Sequence, residues 1–280
     1  MGQILEIIFT ADFLHSIIRL STPILFATMA ALISERAGVI NIGIEGTMLF
    51  ASLMGVVGSA FTGNVWLGVL CAVVSGIAFS GLLSFFHLKL ETDIVLTGIA
   101  LNLMSSGLTI FILYILTGDK GVSTQLASKA VPNINIPLIQ DIPVLGSILS
   151  GHSVLTYLAF FLVIALAIFL KKTKLGTYIR AVGENSDSVE TAGISVNMVR
   201  LKALLISGAI SGLGGAFMSM AYVNMFTKDM VAGRGFIALA AEAMGRGVPG
   251  LSMLSALFFG MADALSNNLQ LFNMPSELTR

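Results

Sequence analysis

The feature that most narrows what this chain can become is the recurrence of apolar runs about 20 residues long, separated by short polar turns. A helix rises about 1.5 Å per residue, so roughly 20 residues cover the ~30 Å hydrocarbon core of a bilayer. The runs do not alternate apolar with polar residues, as the strands of a transmembrane barrel would. In lipid, backbone N–H and C=O groups must be paired internally, which leaves helices as the spanning element. The expected fold class is therefore an all-α polytopic membrane protein. Composition agrees, with 56% hydrophobic and 11% charged residues among 280, against roughly 45–50% and 25% in soluble domains. The formal net charge is zero, so no basic surface points to nucleic acid. The single cysteine, Cys71, lies within an apolar run and allows no intrachain disulfide. The chain start lacks a basic cluster and carries Glu6 and Asp12, so it does not read as a cleaved signal peptide.

The runs place spans at Ser16–Ser34, from Gly38 to Phe61, and at Val65–Phe86, Ile94–Leu116, Ser153–Leu170, Met198–Tyr222 and Leu251–Leu271. Met1–His15 reads as an amphipathic interfacial segment. Arg234–Arg246 is about 13 residues, or ~20 Å as helix, and is expected to span only half the membrane before Gly247-Val-Pro-Gly250 breaks it. That makes about eight transmembrane or half-spanning helices in one domain, 1–280. Thr117–His152 contains Pro132, Pro137 and Pro143 and reads as an ordered loop outside the membrane. Small residues at intervals of four, Ala51, Gly55 and Ser59 on one span and Gly208, Gly212 and Ala216 on another, mark close-packing faces.

Charge concentrates in Lys171–Ser195. Placing this segment in the cytoplasm puts Arg36, Lys89, Lys171, Lys172, Lys174, Arg180, Arg200, Lys202 and Arg246 inside. The other six of the fifteen basic residues then lie outside, a bias that also places the 117–152 loop outside. Within the segment, Asp187 as N-cap, Glu190 three residues on and Gly193 as a stop spell a helix of one or two turns. Such a helix is too short to be stable alone. It is either part of a solvated loop or a docking element for a soluble partner.

Several polar residues fall at membrane depth, where a charge costs a few kcal/mol unless paired or hydrated. Asn41 and Glu45 are four apart and would share a helix face, with Gly43 and Gly46 loosening the turn; Glu45 could instead pair with Arg36 at the headgroups. Asn102, Ser105 or Ser106, and Thr109 stripe one face of the fourth span, either as interhelical glue or as a path for a solute. Glu242 sits in the short segment. Asn41, Glu45, Asn102, Ser105 and Glu242 are thus the candidate lining of a watery passage. His15, His87 and His152 lie near span ends without the spacing of metal ligands, and no phosphate-binding Gly-x-x-x-x-Gly-Lys-Ser/Thr motif occurs. If these residues line a solute path, the chain must either borrow ATP hydrolysis from a partner or use an ion gradient; the acids Glu45, Glu242 and Asp263 are the argument for the latter.

Three separated motifs carry a resemblance. Gly38-Val-Ile-Asn-Ile-Gly-Ile-Glu-Gly46 comes first. Tyr178-Ile-Arg-Ala-Val-Gly-Glu-Asn185 with Thr191-Ala-Gly-Ile-Ser195 is second, and Ala232-Gly-Arg-Gly-Phe-Ile-Ala-Leu-Ala-Ala241 with Phe259-Gly-Met-Ala-Asp-Ala264 is third. Together the chain resembles bacterial ABC-importer permeases of the nucleoside and simple-sugar group, relatives of the branched-chain amino-acid permeases. The resemblance implies a type II importer fold in the bacterial inner membrane, and a pairing with a second permease subunit, homo- or heterodimeric. It also implies two cytoplasmic ATPase subunits that use the ATP, with no cofactor on this chain, and an extracytoplasmic binding protein. It makes Glu184, Asn185, Asp187, Glu190, Ala192 and Gly193 the expected contacts to the ATPase. The expected cargo is a neutral small solute, a nucleoside, with a simple sugar as the alternative. The family pattern also leads one to expect a further apolar span after Arg280 and an apolar residue where Glu242 stands.

Overall fold

Seven helices are long and apolar enough to cross a bilayer in the computed structural model, which describes residues 10–135 and 145–270. Most begin at a polar cap. Helix α1 (Ala11–Glu35) starts where Thr10 accepts a hydrogen bond from the Phe13 N–H. Helix α2 (Ile44–Thr62) ends at Gly63 and α3 (Val65–Ser84) begins at Asn64, which accepts from the Trp66 N–H. Helix α4 (Ile94–Thr117) starts at Asp93 and stops at Gly118. Gly63 and Gly118 both have left-handed φ, of 64° and 73°, which lets the next residues leave the helix axis. A five-residue helix α5 (Leu145–Leu149) precedes α6 (Val154–Lys172). Two short helices follow, α7 (Lys174–Glu184) and α8 (Ser186–Thr191), and then α9 (Val196–Phe217), α10 (Arg234–Gly245) and α11 (Pro249–Gln270). Single π-helical turns, Phe85–Lys89 and Met218–Tyr222, extend α3 and α9.

Helices α1 and α9 form the centre. Ser21 to Ser34 of α1 are all buried, although no bilayer is present. Their hydroxyls are satisfied locally: Ser21, Thr22 and Thr28 donate to carbonyls four residues back, at 2.7 Å each. The small-residue faces pack as the spacing predicts. A Cβ on Gly76 of α3 would collide with the Gly208 carbonyl of α9, and one on Gly212 with the Ala72 carbonyl, so α3 and α9 touch backbone to backbone. Gly55 of α2 faces Gly68 and Ala72 of α3 in the same way. Helix α4 is peripheral and leaves Leu96, Leu103, Phe111 and Ile115 exposed; in a soluble protein that patch would be a liability, whereas on a helix long and apolar enough to cross a bilayer it suits apolar surroundings.

The structure moves several sequence-based boundaries. The first span begins at Ala11, so Ala11–His15 form its opening turns rather than an interfacial helix, and Pro23 sits in its middle. Residues 1–9 lie outside the described residues, as do Pro137 and Pro143. Within the 117–152 loop, residues 117–135 and 145–152 are ordered as expected. The Ser123 and Val131 N–H groups donate to Phe226 and Met220 carbonyls, Ile134 N–H donates to His152 O, and bridges pair Val122 with Thr227 and Asn133 with Ser153. His87 belongs to the π turn that ends the third span, its Nδ1 2.9 Å from Thr92 O. Helix α10 has 12 residues and does not reach spanning length, as expected; Pro249 then opens α11.

The Lys171–Ser195 segment holds more structure than one capped turn. Helix α7 is capped by Thr173, which accepts from the Gly176 N–H at 3.0 Å, and it buries Gly176, Ile179 and Val182 while its remaining face is polar. Helix α8 is capped by Asn185, not Asp187: the Asn185 Oδ1 accepts from Ser188 N–H at 3.0 Å, and Asp187 falls in the first turn. Asn185 serves both helices, since its own N–H donates to Ala181 O at the end of α7. Gly193, φ 79°, ends the unit as expected.

Candidate functional site

The α1–α2 connection, residues 36–43, is not helical, and α2 begins only at Ile44. Asn41 and Glu45 therefore do not share a helix face. Asn41 lies in the connection, 1% exposed, and its Nδ2 donates to Ser207 Oγ of α9 at 3.0 Å, while its Oδ1 has no partner among the described residues. Glu45 occupies the first turn of α2 and points at the start of α10. Its Oε1 accepts from Gly233 N–H at 2.8 Å and its Oε2 from Gly235 N–H at 2.7 Å. A helix beginning inside the bundle has orphan N–H groups and the positive end of its dipole exposed. Residue 233 is glycine, so α10 has no side-chain cap of its own, and Glu45 supplies one from 188 residues away. That explains how a carboxylate persists at this depth. The alternative pairing of Glu45 with Arg36 does not occur: the Arg36 guanidinium donates to Gly247 O from Nε at 2.8 Å and from a terminal nitrogen at 2.6 Å, and to Arg246 O at 3.2 Å.

Asn102 and Ser105, on α4, hold the same region from the other side. Asn102 Oδ1 accepts from Gly46 N–H at 2.8 Å, its Nδ2 donates to Ile42 O at 3.0 Å, and Ser105 Oγ donates to Gly46 O at 2.6 Å. Asn102 and Ser105 of the fourth span's polar stripe are thus spent on backbone groups at and just before the start of α2, while Thr109 donates to the Ser105 carbonyl of its own helix. A Cβ on Gly46 would lie 2.8 Å from Asn102 Cα, so only glycine permits this approach. Ser106, the neighbouring member of the stripe, donates to Asp229 Oδ1 at 3.0 Å in the loop that leads into α10. That loop holds Asn224, Asp229 and Ala232 at positive φ, a concentration of backbone strain.

Glu242 sits apart, near the far end of α10. It is 1% exposed; the Gly247 N–H and the Arg36 charge lie near its carboxylate, but among the described residues no donor makes a well-formed hydrogen bond to either oxygen. The carboxylate of Glu35, at the end of α1, lies beside it and could donate only if protonated. The two acids, with Arg36, Arg180, Glu184 and Arg246, line a polar cavity of about 330 Å³. A second polar cavity, of about 350 Å³, lies at the opposite end of α1, where the His15 and His152 rings stack with centroids 3.9 Å apart, and Arg19 donates to Tyr222 O at 2.9 Å. Burial pushes the His152 imidazole below its ordinary range; its contact with Ile148 O opposes this, and the charges of His15 and Arg19 add to it.

Four of the five passage candidates, Asn41, Glu45, Asn102 and Ser105, therefore converge on the α1–α2 connection and the start of α2, and Glu242 lies toward the other end of the half-helix that this connection embraces. The six candidate docking residues, Glu184, Asn185, Asp187, Glu190, Ala192 and Gly193, all lie exposed on one ridge at the junction of α7 and α8 and around α8. The sequence reading missed Gly233 and Gly235 as the partners of Glu45, and Arg36 as the group at the end of α10. The Gly-Arg-Gly triplet opening a short helix without a capping side chain was the available signal.

Residues 13–279 match the sequence profile of the family described as the permease component of the branched-chain amino acid transport system. The chain belongs to this permease family. It is 35% identical over 258 residues to the nucleoside ABC transporter permease NupC of Lactococcus lactis, covering 88% of this chain and 79% of that one. It is 34% identical over 274 residues to the guanosine ABC transporter permease NupQ of Bacillus subtilis, covering 94% and 83%. It is 33% identical over 261 residues to TsgC13 of Haloferax volcanii, a protein named for glucose ABC transport, covering 92% of this chain and 77% of that one. Among solved structures, an inward-facing ABC transporter described as of metal-chelate type superposes with a TM-score of 0.54 at 16% identity, covering 98% of this chain and 83% of that one; this likeness concerns the fold. The permease is an integral membrane protein of the ABC transporter class with a type II-like helical fold. Family membership removes the ion-coupled alternative.

Proposed function

We propose that this permease carries nucleosides into the cell as one membrane subunit of an ATP-driven importer. The observation that supports the cargo most is the 34–35% identity, over about nine-tenths of the chain, to permeases named for nucleosides and guanosine. The chemistry of the chain is compatible with it. Apart from Glu45, Glu242 and Arg36, which are engaged at the ends of α10, the polar groups near the proposed route are mostly amides and hydroxyls, whereas a phosphorylated cargo would call for free cationic side chains. A simple sugar is the second reading, supported by the 33% identity to the relative named for glucose transport.

In this reading the α7–α8 unit is the cytoplasmic docking element for the ATPase, and residues 118–135 and 145–153 lie outside. The exposed ridge of Glu184, Asn185, Asp187, Glu190, Ala192 and Gly193 is the contact surface, and the open cavity beside it, lined by Ser186, Glu190, Ile194, Asn197 and Arg200, admits a side chain of the partner. The ATPases bind and hydrolyse the ATP, and an extracytoplasmic binding protein delivers the cargo. A second permease subunit, identical or related, faces the exposed apolar side of α4, and the passage runs between the two subunits along the α1–α2 connection and the half-helix.

The test is co-purification and transport. Ala192→Arg places bulk on the ridge without touching the buried Val189 side of α8, and it spares Gly193, whose φ of 79° a side chain would strain. The expected result is loss of the ATPase from the purified complex and of ATP-driven uptake. An unchanged complex with unchanged uptake would refute the docking assignment. Uptake of labelled nucleosides against free glucose, ribose and branched-chain amino acids decides the cargo.

A further inference from the structure

Helix α10 is held at both ends by residues of one short stretch, 36–45, which is the α1–α2 connection and the first turn of α2. Glu45 accepts from the N–H groups of Gly233 and Gly235 at its start. Arg36 donates to the carbonyls of Arg246 and Gly247 in the turn that ends it. The signs are those a helix dipole demands, a carboxylate at the positive N-terminal end and a guanidinium at the negative C-terminal end. Eight residues lie between the two clamps along the chain and the helix they hold is about 18 Å long, so this stretch runs alongside it like a bracket. Gly247 has φ of 65°, and a Cβ there would meet the Arg36 guanidinium; the fit at this end is therefore close as well as charged.

The bracket is also in direct contact with α7. A Cβ on Gly183, in the last turn of α7, would collide with the Arg36 carbonyl and lie 3.2 Å from Gly38 N. From the other side, a Cβ on Gly38, φ 73°, would lie 3.4 Å from Gly183 Cα. The backbones of α7 and the bracket therefore touch at Gly183, Arg36 and Gly38, and the Arg36 side chain leaves this contact directly for the end of α10. Beside it, the cavity lined by Arg180, Glu184, Glu35 and Glu242 is open polar space that transmits little, whereas close-packed backbone transmits displacement.

We infer that Arg36 is the positioning residue through which movement of α7 reaches the half-helix α10, with Glu45 fixing the far end so that bracket and half-helix move as one body. This rests on the reading of the α7–α8 unit as the ATPase dock. It adds the route by which that dock acts on the passage wall, and it explains why both charges sit where they do.

The experiment uses the full reconstituted complex of permease pair, ATPases and binding protein, in a Cys71→Ala background. Ala240→Cys, on the exposed side of α10, reports the position of the half-helix through its rate of maleimide labelling with and without trapped nucleotide. In the parent the labelling rate should depend on nucleotide. In Arg36→Gln the ATPase should still co-purify and hydrolyse ATP, while solute moved per ATP falls about 5- to 150-fold, the range of ordinary coupling free energies. Labelling at position 240 should lose its nucleotide dependence. Arg36→Lys keeps the charge and loses the paired guanidinium contact, so it should give an intermediate loss, and it carries the test if Arg36→Gln does not assemble. Solute per ATP and labelling equal to the parent in these variants would overturn the inference. So would a parent complex that transports with no nucleotide-dependent change at position 240. Failure of the parent to bind the ATPase at all would count against the docking assignment instead.

Discussion

Shortening Glu45 by one methylene is the sharpest test of the cap it forms. Glu45→Asp keeps the negative charge, so the cost of holding a carboxylate at this depth and its attraction to the start of α10 are both retained in kind. What is lost is reach, about 1.5 Å. The two bonds, 2.8 and 2.7 Å in the parent, would then exceed hydrogen-bonding distance. Bonds to a charged acceptor contribute about 1.5–3 kcal/mol each. Backbone adjustment recovers part of that, which leaves a destabilisation of about 2–4 kcal/mol. In thermal unfolding of the detergent-solubilised protein this corresponds to a fall on the order of 5–10 °C. Amide hydrogen exchange should localise the change, with the N–H groups of Gly233 and Gly235 losing protection before the core of α9 does. Glu45→Gln should cost less, since one acceptor oxygen remains and the amide carries no charge to desolvate. An Asp variant whose midpoint and exchange at 233–235 match the parent would refute the assignment of Glu45 as the cap of the half-helix.

Other outcomes follow from the same contacts. Glu242→Leu should raise the unfolding midpoint, by about 1–3 kcal/mol in stability, because it replaces a buried carboxylate that has no well-formed hydrogen bond; a lowered midpoint would mean that the nearby Gly247 N–H and Arg36 hold Glu242 in the folded protein. Gly76→Ala should sharply reduce the yield of folded protein, since its Cβ meets backbone of α9, whereas Gly107→Ala, with nothing within 4 Å, should be neutral or stabilising by up to ~1 kcal/mol; equal behaviour of the two would contradict the α3–α9 packing. The pKa of His152 is depressed on folding, so the unfolded chain takes up that proton first and stability rises with pH across the interval. Acidification from about pH 7.5 to below about 6.5 should therefore loosen the 131–153 region, measured by hydrogen exchange, and His152→Gln should flatten the response.

The spans were legible because length and unbroken apolarity are local properties, and the α3–α9 contact because Gly208, Gly212 and Ala216 recur at helical spacing. The half-helix was legible from its length. Less legible were features decided by distant backbone. Asp187-x-x-Glu190 fits a capping box, yet Asn185 caps α8, because α7 runs up to Glu184 and the next residue must close one helix and open the other. That α7 is a helix at all was hidden by its charges; its buried face is only Gly176, Ile179 and Val182. Glu45 looked like a lining residue or a partner for Arg36, since sequence reading compares side chains with nearby side chains. Its real partners are two main-chain N–H groups, 188 and 190 residues away. The same holds for Asn102 and Ser105, which bond backbone at Ile42 and Gly46, and for Arg36.

The central claim, that this permease works in an ATP-driven importer for nucleosides, is tested most directly by uptake into proteoliposomes. These would hold the permease pair and its cognate ATPases, with the binding protein on the outside. The account predicts saturable accumulation of labelled nucleoside that requires both ATP and the binding protein and is not displaced by glucose or branched-chain amino acids. Accumulation of glucose in preference to nucleoside, or nucleoside uptake indifferent to ATP, would contradict it.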